Sequence, residues 1–233
     1  MNEENCYIEL EELLPLASTQ GQGIISAVEV NPEAPVAGCP GWNNADLLGH
    51  INKVWHFMAA QLEAGNPLEP TPQNKLEYPP SSALEKLIDL LETIDFSSPT
   101  WNWTANKQAG FFVRRLAHEN TIHRWDAEAA IGLTCPIDKL VAMDGIEELL
   151  YLIPFRAGSD FSRGSIHLHQ TDGTGEWLLS FSNKELQVER KHSKGDAAVR
   201  GTAENLLLYL WNRDRKELEC FGDTETIDAW GKE

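Results

Sequence analysis

Over the first 150 residues, apolar positions recur at helical spacing between short breaks. An acidic amphipathic stretch from Tyr7 to about Val30 is interrupted by Gly21-Gln22-Gly23, which predicts either one bent helix or two pieces. Asn31-Pro32 through Pro40-Gly41 reads as loop. Asn43 or Asn44 can cap a helix running to about Ala64, which Gly65-Asn66-Pro67 ends. A connection rich in proline (Pro67, Pro70, Pro72, Pro79, Pro80) leads to a third helix, capped by Ser81 or Ser82 and reaching Ile94, with Leu84, Leu87, Ile88 and Leu91 on one face. A loop holding Trp101 and Trp103 precedes a long helix from about Lys107 to Ile131, stopped by Gly132, and a further helix spans Ile137 to Leu152.

The period then changes. Ser165-Ile-His-Leu-His-Gln170 alternates, Asp172-Gly173 is a turn signal, and Glu176 to Phe181 follows as a second strand. Leu186 to Arg190 and Ala197 to Arg200 read as shorter strands. Thr202 can cap a helix from Ala203 to Trp211, and a last short helix lies near Thr224 to Trp230. Helices followed by a hairpin-rich segment form a two-domain pattern, with a boundary near Pro154 to Ser162. The expected domains are residues 1–155, helical, and 156–233, α+β.

Charge supports that division. The chain has 36 acidic and 19 basic side chains, a net of −17. Residues 151–233 carry 14 acids and 11 bases, so residues 1–150 hold 22 acids and 8 bases, a net of −14. Such acidity argues against a nucleic-acid or anionic-membrane surface, both of which need clustered Lys and Arg. No apolar run approaches the roughly 18 residues of a membrane span, and Met1-Asn2-Glu3-Glu4-Asn5 is unlike a secretory leader. Cys6, Cys39, Cys135 and Cys220 lie far apart without CxxC spacing, so neither a disulfide framework nor a cysteine-rich zinc site is expected. The expected setting is the cytoplasm.

Candidate chemistry comes from helical projection. In the Asn43–Ala64 helix, Leu47, Leu48, Ile51, Val54, Trp55, Met58 and Leu62 form one stripe with His50 at its edge, while His56 falls on the opposite, solvent side. In the Lys107–Ile131 helix, Glu119, His123 and Asp126 project into the face defined by Phe112, Leu116 and Ala130. A carboxylate in an apolar face is costly unless paired or bound to metal. Glu119 and His123, four apart, stack on one side of the helix. With a histidine from a second helix they would complete a His₂Glu set with an open fourth position, the ligand logic of catalytic zinc sites. A local Glu–His helix contact is the simpler alternative. Asp126 suits a role behind the ligands, or as a salt-bridge partner of Arg114, Arg115 or Arg124. His118-Glu-Asn-Thr-Ile-His123 superficially matches the zinc-protease motif, but its histidines are five apart, about 140° around the helix. The protease reading is rejected; His118 groups instead with Phe111, Ile122, Trp125 and Ala129. Cys39 and Cys135, each followed by proline, are expected to be structural.

Cys39-Pro-Gly-Trp-Asn-Asn-Ala-Asp-Leu-Leu-Gly-His50, followed by Arg114-Arg-Leu-Ala-His-Glu-Asn-Thr-Ile-His-Arg-Trp-Asp126, resembles the mycothiol-dependent maleylpyruvate isomerase family. Gly201 to Arg213 and Gly222-Asp223 are similar to that family's second domain. The resemblance covers most of the chain in order. It implies an N-terminal DinB-like four-helix bundle holding a divalent metal, and a C-terminal α+β domain similar to sterol carrier proteins. Carried over by position, the metal ligands are His50, Glu119 and His123. Arg213 is the candidate catalytic residue of the second domain, since a guanidinium can hold a substrate carboxylate bidentately; a surface arginine at a helix end is the alternative.

The resulting expectation is a metal-dependent enzyme, zinc being the expected ion, that uses a low-molecular-weight thiol such as mycothiol on a small electrophile such as an enoyl-keto acid. Thiolate addition, bond rotation and elimination would make it an isomerase; retention of the adduct would make it an S-transferase. Its partners are then small molecules, without nucleic acid or membrane, and the sequence leaves the oligomeric state open. The rival expectation is a non-catalytic protein that binds an apolar ligand through the C-terminal domain.

Overall fold

Leu47, Ile51, Trp55 and Met58 recur at three- and four-residue spacing, and in the computed structural model of the chain all four are buried in the core of a helical bundle. The structure describes residues 7–73, 75–133, 135–155, 164–183 and 185–231. The acidic opening Met1-Asn2-Glu3-Glu4-Asn5, Cys6, and most of the boundary segment expected between Pro154 and Ser162 lie outside the described residues.

The chain divides into two units. The first, Ile8–Pro136, is built from four helices: α1 (Leu10–Val30), α2 (Asn44–Ala64), α3 (Pro80–Thr93) and α4 (Gly110–Ala130). α1 is a single helix despite Pro15 and the Gly21-Gln22-Gly23 interruption. Both glycines serve close packing. A Cβ on Gly21 would stand 2.7 Å from Leu84 and 2.9 Å from Asn120, and one on Gly23 would stand 2.8 Å from Arg124. α2 begins with a capping box, in which the Asn43 side chain accepts from the Asp46 amide while the Asp46 carboxylate accepts from the Asn43 amide, and it ends on Gly65 at φ 56°. α3 starts with Pro80 at its first position instead of a serine cap. The fixed φ of proline suits that position and its missing N–H is one that needs no partner there.

The second unit comprises Tyr7 and the described residues from Ile137 on. α5 (Lys139–Leu152), expected with the first 155 residues, packs here against α6 (Ala203–Leu210). Its Glu147 accepts a hydrogen bond from Trp177 Nε1 at 2.8 Å and pairs with Arg190. The units therefore divide at Pro136/Ile137, and α5, with Asp144, Glu147 and Glu148 buried beside its apolar residues, packs within the second. Five strands, β1 (Ile166–Gln170), β2 (Glu176–Ser182), β3 (Glu185–Glu189), β4 (Ala197–Gly201) and β5 (Glu219–Gly222), form one sheet in the order β3-β2-β1-β4-β5. β1 and β4 run parallel, and the other neighbours are antiparallel. Ile166, Leu168, Trp177, Leu179 and Val199 are buried on one face, with which α6 and α7 (Thr224–Trp230) make contact. β5 has no sequence signal because every one of its residues is exposed. No helix among the described residues is long and apolar enough to cross a membrane.

Asn120, fully buried on α4, ties three helices together. Its Oδ1 accepts from Trp55 Nε1 of α2 at 3.0 Å, and its Nδ2 donates to the Ala17 carbonyl of α1 at 2.9 Å. Asn120→Ala leaves the buried Trp55 Nε1 without a partner, removes a second bond to the Ala17 carbonyl and opens a small void, and should cost about 2–4 kcal/mol in urea unfolding followed by circular dichroism. Because Asn120→Ala and Trp55→Phe break the same bond, the double variant should cost less than the sum of the single changes.

Candidate metal centre

The i,i+4 spacing of Glu119 and His123 on α4 aims both at α2, where the seventh residue of the helix is His50. The His123 Nε2 atom lies 3.3 Å from Glu119 Oε1, and His50 Nε2 lies 3.6 Å from the same oxygen. The two imidazoles meet edge to face with centroids 5.3 Å apart. One ligand atom from each of the three residues lies within 4.8 Å of the others. Ligand bonds of about 2.1 Å in a tetrahedron give edges of about 3.4 Å, close to the two histidine–Glu119 separations.

Neighbouring side chains fix which atoms face inward. Asp126 Oδ2 accepts from His123 Nδ1 at 3.1 Å, which turns Nε2 toward Glu119. Arg115 Nη2 donates to Glu119 Oε2 at 2.8 Å and leaves Oε1 for the histidine side. Arg114 donates to the Ile8 carbonyl, and Arg124 to Glu128 and Gln20. Cys39 Sγ stands 3.9 Å from Asp126 Oδ2. Trp42 sits against His50 with ring centroids 5.2 Å apart. His50 is the most open of the three, 37% exposed at its side chain, and forms part of a cleft of about 390 Å³ with Lys53, Val54, Phe57, Met58, Trp103, Arg115 and Glu119.

Burial acts to raise the Glu119 pKa, but the Arg115 guanidinium and the hydrogen bonds of His123 and His50 outweigh it and hold the carboxyl well below its usual range. Burial likewise acts to lower the His123 pKa, and Asp126 and Glu119 overcome it, so the imidazole is pushed upward. Without an ion, this is a carboxylate kept ionised among proton donors.

Sequence projection placed Glu119, His123 and Asp126 on one face, and the structure brings them together with His50. It did not assign Arg115 to Glu119, although an Arg four residues before a Glu on a helix is a recognisable pairing signal. His118 is buried, in keeping with a packed histidine. His56, expected on the solvent side, is buried. Its Nδ1 is 2.8 Å from the Asn52 carbonyl and its Nε2 accepts from the amides of Glu77 and Tyr78 at 3.1 and 3.2 Å. The proline-rich connection folds back over α2 and covers it, which a projection of α2 alone does not register. Arg213 belongs to the other unit, where its Nη1 donates to the Trp211 carbonyl at 2.6 Å.

Residues 23–128 match the family model described as the mycothiol maleylpyruvate isomerase N-terminal domain. Two crystal structures of a mycothiol-dependent maleylpyruvate isomerase, one of them a histidine-to-alanine mutant, share the fold. The TM-scores are 0.65 for the mutant and 0.64 for the other, each at 14% identity and covering 92% of this chain and 95% of the other. No curated protein sequence matches the chain.

The two pKa displacements set a stability window for chelator-treated protein. Glu119, lowered from 4.5, contributes stability that is complete above that value and lost as pH falls through its native pKa. His123, raised from 6.5, contributes stability that is complete below that value and lost as pH rises through its native pKa. The advantage of wild type over Glu119→Gln should therefore be greatest between pH 4.5 and 6.5, and shrink on both sides in urea midpoints measured across pH.

Proposed function

We propose that the chain, whose residues 23–128 match the mycothiol maleylpyruvate isomerase N-terminal domain, is a metal-dependent, thiol-using enzyme of that family acting on a small unsaturated keto acid. The observation that supports this reading is the convergence of His50, Glu119 and His123 at the edge of a cleft, with three protein donors and room for a fourth ligand. A divalent ion, zinc by the donor set, would hold a low-molecular-weight thiol such as mycothiol as its thiolate near neutral pH.

The remaining work falls to the chain's own side chains. Asp126 holds His123 in the tautomer that presents Nε2. Arg115 anchors the Glu119 carboxylate from behind, and its charge, together with Lys53, favours a carboxylate-bearing substrate in the cleft. Val54, Phe57, Met58 and Trp103 supply the apolar part of the cleft wall. Arg213, in the second unit, is proposed as a residue that can bind a carboxylate bidentately. The family name favours isomerisation over net conjugation. A cytoplasmic setting, where thiols are kept reduced, suits the reading. The rival apolar-ligand reading has only a mixed cavity of about 540 Å³ in the second unit, where His167, His192, Lys194 and Asp196 share the lining with Ala197, Ala198 and Phe221.

Protein purified without added metal should contain zinc, and His123→Ala should lose one ion per chain by elemental analysis. With mycothiol and maleylpyruvate, His50→Ala, Glu119→Gln and His123→Ala should each lower kcat/KM by about 100-fold or more. Asp126→Asn should weaken metal affinity by about 10–100-fold. Unchanged activity and metal content in the His123 variant would rule the reading out.

A further inference from the structure

A second convergence of ligand-type side chains lies in the sheet unit, and neither the family match nor the proposed reaction uses it. His167 and His169, two apart on β1, point to the same face of the sheet, opposite Ile166 and Leu168, which are fully buried. The antiparallel register sets Glu176 of β2 directly across from His169. His192, in the segment between β3 and β4, completes the group. His167 Nε2 is 2.5 Å from Glu176 Oε2, while His169 Nδ1 and His192 Nδ1 are 2.7 and 3.1 Å from Oε1. The imidazole centroids are 4.8–6.0 Å apart, and all four ligand atoms fall within 4.8 Å of one another.

We propose that His167, His169, Glu176 and His192 form a second transition-metal site, a His₃Glu set that binds zinc independently of the bundle. Three imidazoles around one carboxylate suit Zn²⁺ or its borderline neighbours and offer too few oxygens for Ca²⁺ or Mg²⁺. Four protein ligands fill a tetrahedral shell, so the site is closed and structural, in contrast to the three-ligand set of the bundle. The three imidazole nitrogens stand closer to the Glu176 oxygens than the roughly 3.4 Å edge of a zinc tetrahedron. Separation by less than 1 Å would admit the ion, and three of the four ligands sit on adjacent strands whose backbones need not move. The ends of the site differ in access. His167 is 6% exposed and anchors it from inside. His192 is 76% exposed at its side chain and, with His167, lines the cavity of about 540 Å³, which provides an entry path. An occupied site would pin the segment after β3 to the β1–β2 hairpin.

The test uses the full chain carrying His50→Ala and His123→Ala, so that its outcome does not depend on the bundle centre. After chelator treatment this variant should bind one Zn²⁺ per chain by calorimetry, and Co²⁺ should give the visible absorption of a four-coordinate ion. Adding His167→Ala and His169→Ala should abolish both signals, and His192→Ala, at an exposed position, should weaken binding at least 10-fold while leaving the circular dichroism unchanged. In otherwise wild-type protein, Glu176→Gln should remove one ion per chain. Absence of binding in the His50/His123 variant, when its circular dichroism is that of wild type, overturns the site and leaves a hydrogen-bonded imidazole–carboxylate cluster. Stoichiometry indifferent to Glu176→Gln and His192→Ala overturns it equally, whether or not the bundle variant folds.

Discussion

The bundle is organised around one electrostatic constraint: the Glu119 carboxylate, on a helix that is buried along most of its length, stays ionised. Taking such a group out of water costs several kcal/mol unless charge and hydrogen bonds replace the lost hydration. Arg115 supplies the charge from one helical turn away, and His50 and His123 approach the opposite oxygen. A carboxylate satisfied on one side by a guanidinium, and faced on the other by two imidazoles, has the polarity of a ligand. The same constraint explains Asp126, which would be a second buried acid without purpose if it did not orient His123. The proposed chemistry thus occupies a place where folding has already concentrated polar groups that cannot be left alone.

How much of this is visible in the sequence depends on whether the controlling contacts are local. α2, α6 and α7 follow from apolar periodicity and caps, because Asn43, Thr202 and Asp223 each bond an amide three residues on, and α4, which has no side-chain cap, follows from periodicity alone. The inward aim of Glu119 and His123 is likewise a property of one helix. His56 and α5 are different. His56 is covered by the amides of Glu77 and Tyr78, more than twenty residues away, while Gln61 brackets Thr71 through a pair of hydrogen bonds at 2.8 Å. α5 joins the sheet because Glu147 takes Trp177 and Arg190, and no feature of its own sequence names those partners. β5 falls outside periodicity for the opposite reason, since an edge strand with all its residues exposed needs no alternation. The cluster on β1 was legible only in part. Alternation places His167 and His169 on one face, but the hairpin register is needed to bring Glu176 to them.

Stability and site geometry meet at consecutive residues of α4. Glu119 and Asn120 are about 100° apart around the helix, so the rotation that buries one determines where the other points. Asn120 is held on two sides, by Trp55 of α2 and the Ala17 carbonyl of α1. Gly21 permits that closeness, because any larger residue would meet Asn120 and Leu84 below 3 Å. Rotation of α4 about its axis would break both Asn120 bonds in the core, so the helix has one orientation, and Glu119 and His123 inherit it. α2 is fixed by the same bond through Trp55, which lies five residues beyond His50. The three donors therefore converge because a neutral amide in the core, with no part in the chemistry, sets the relative rotation of the two helices that carry them.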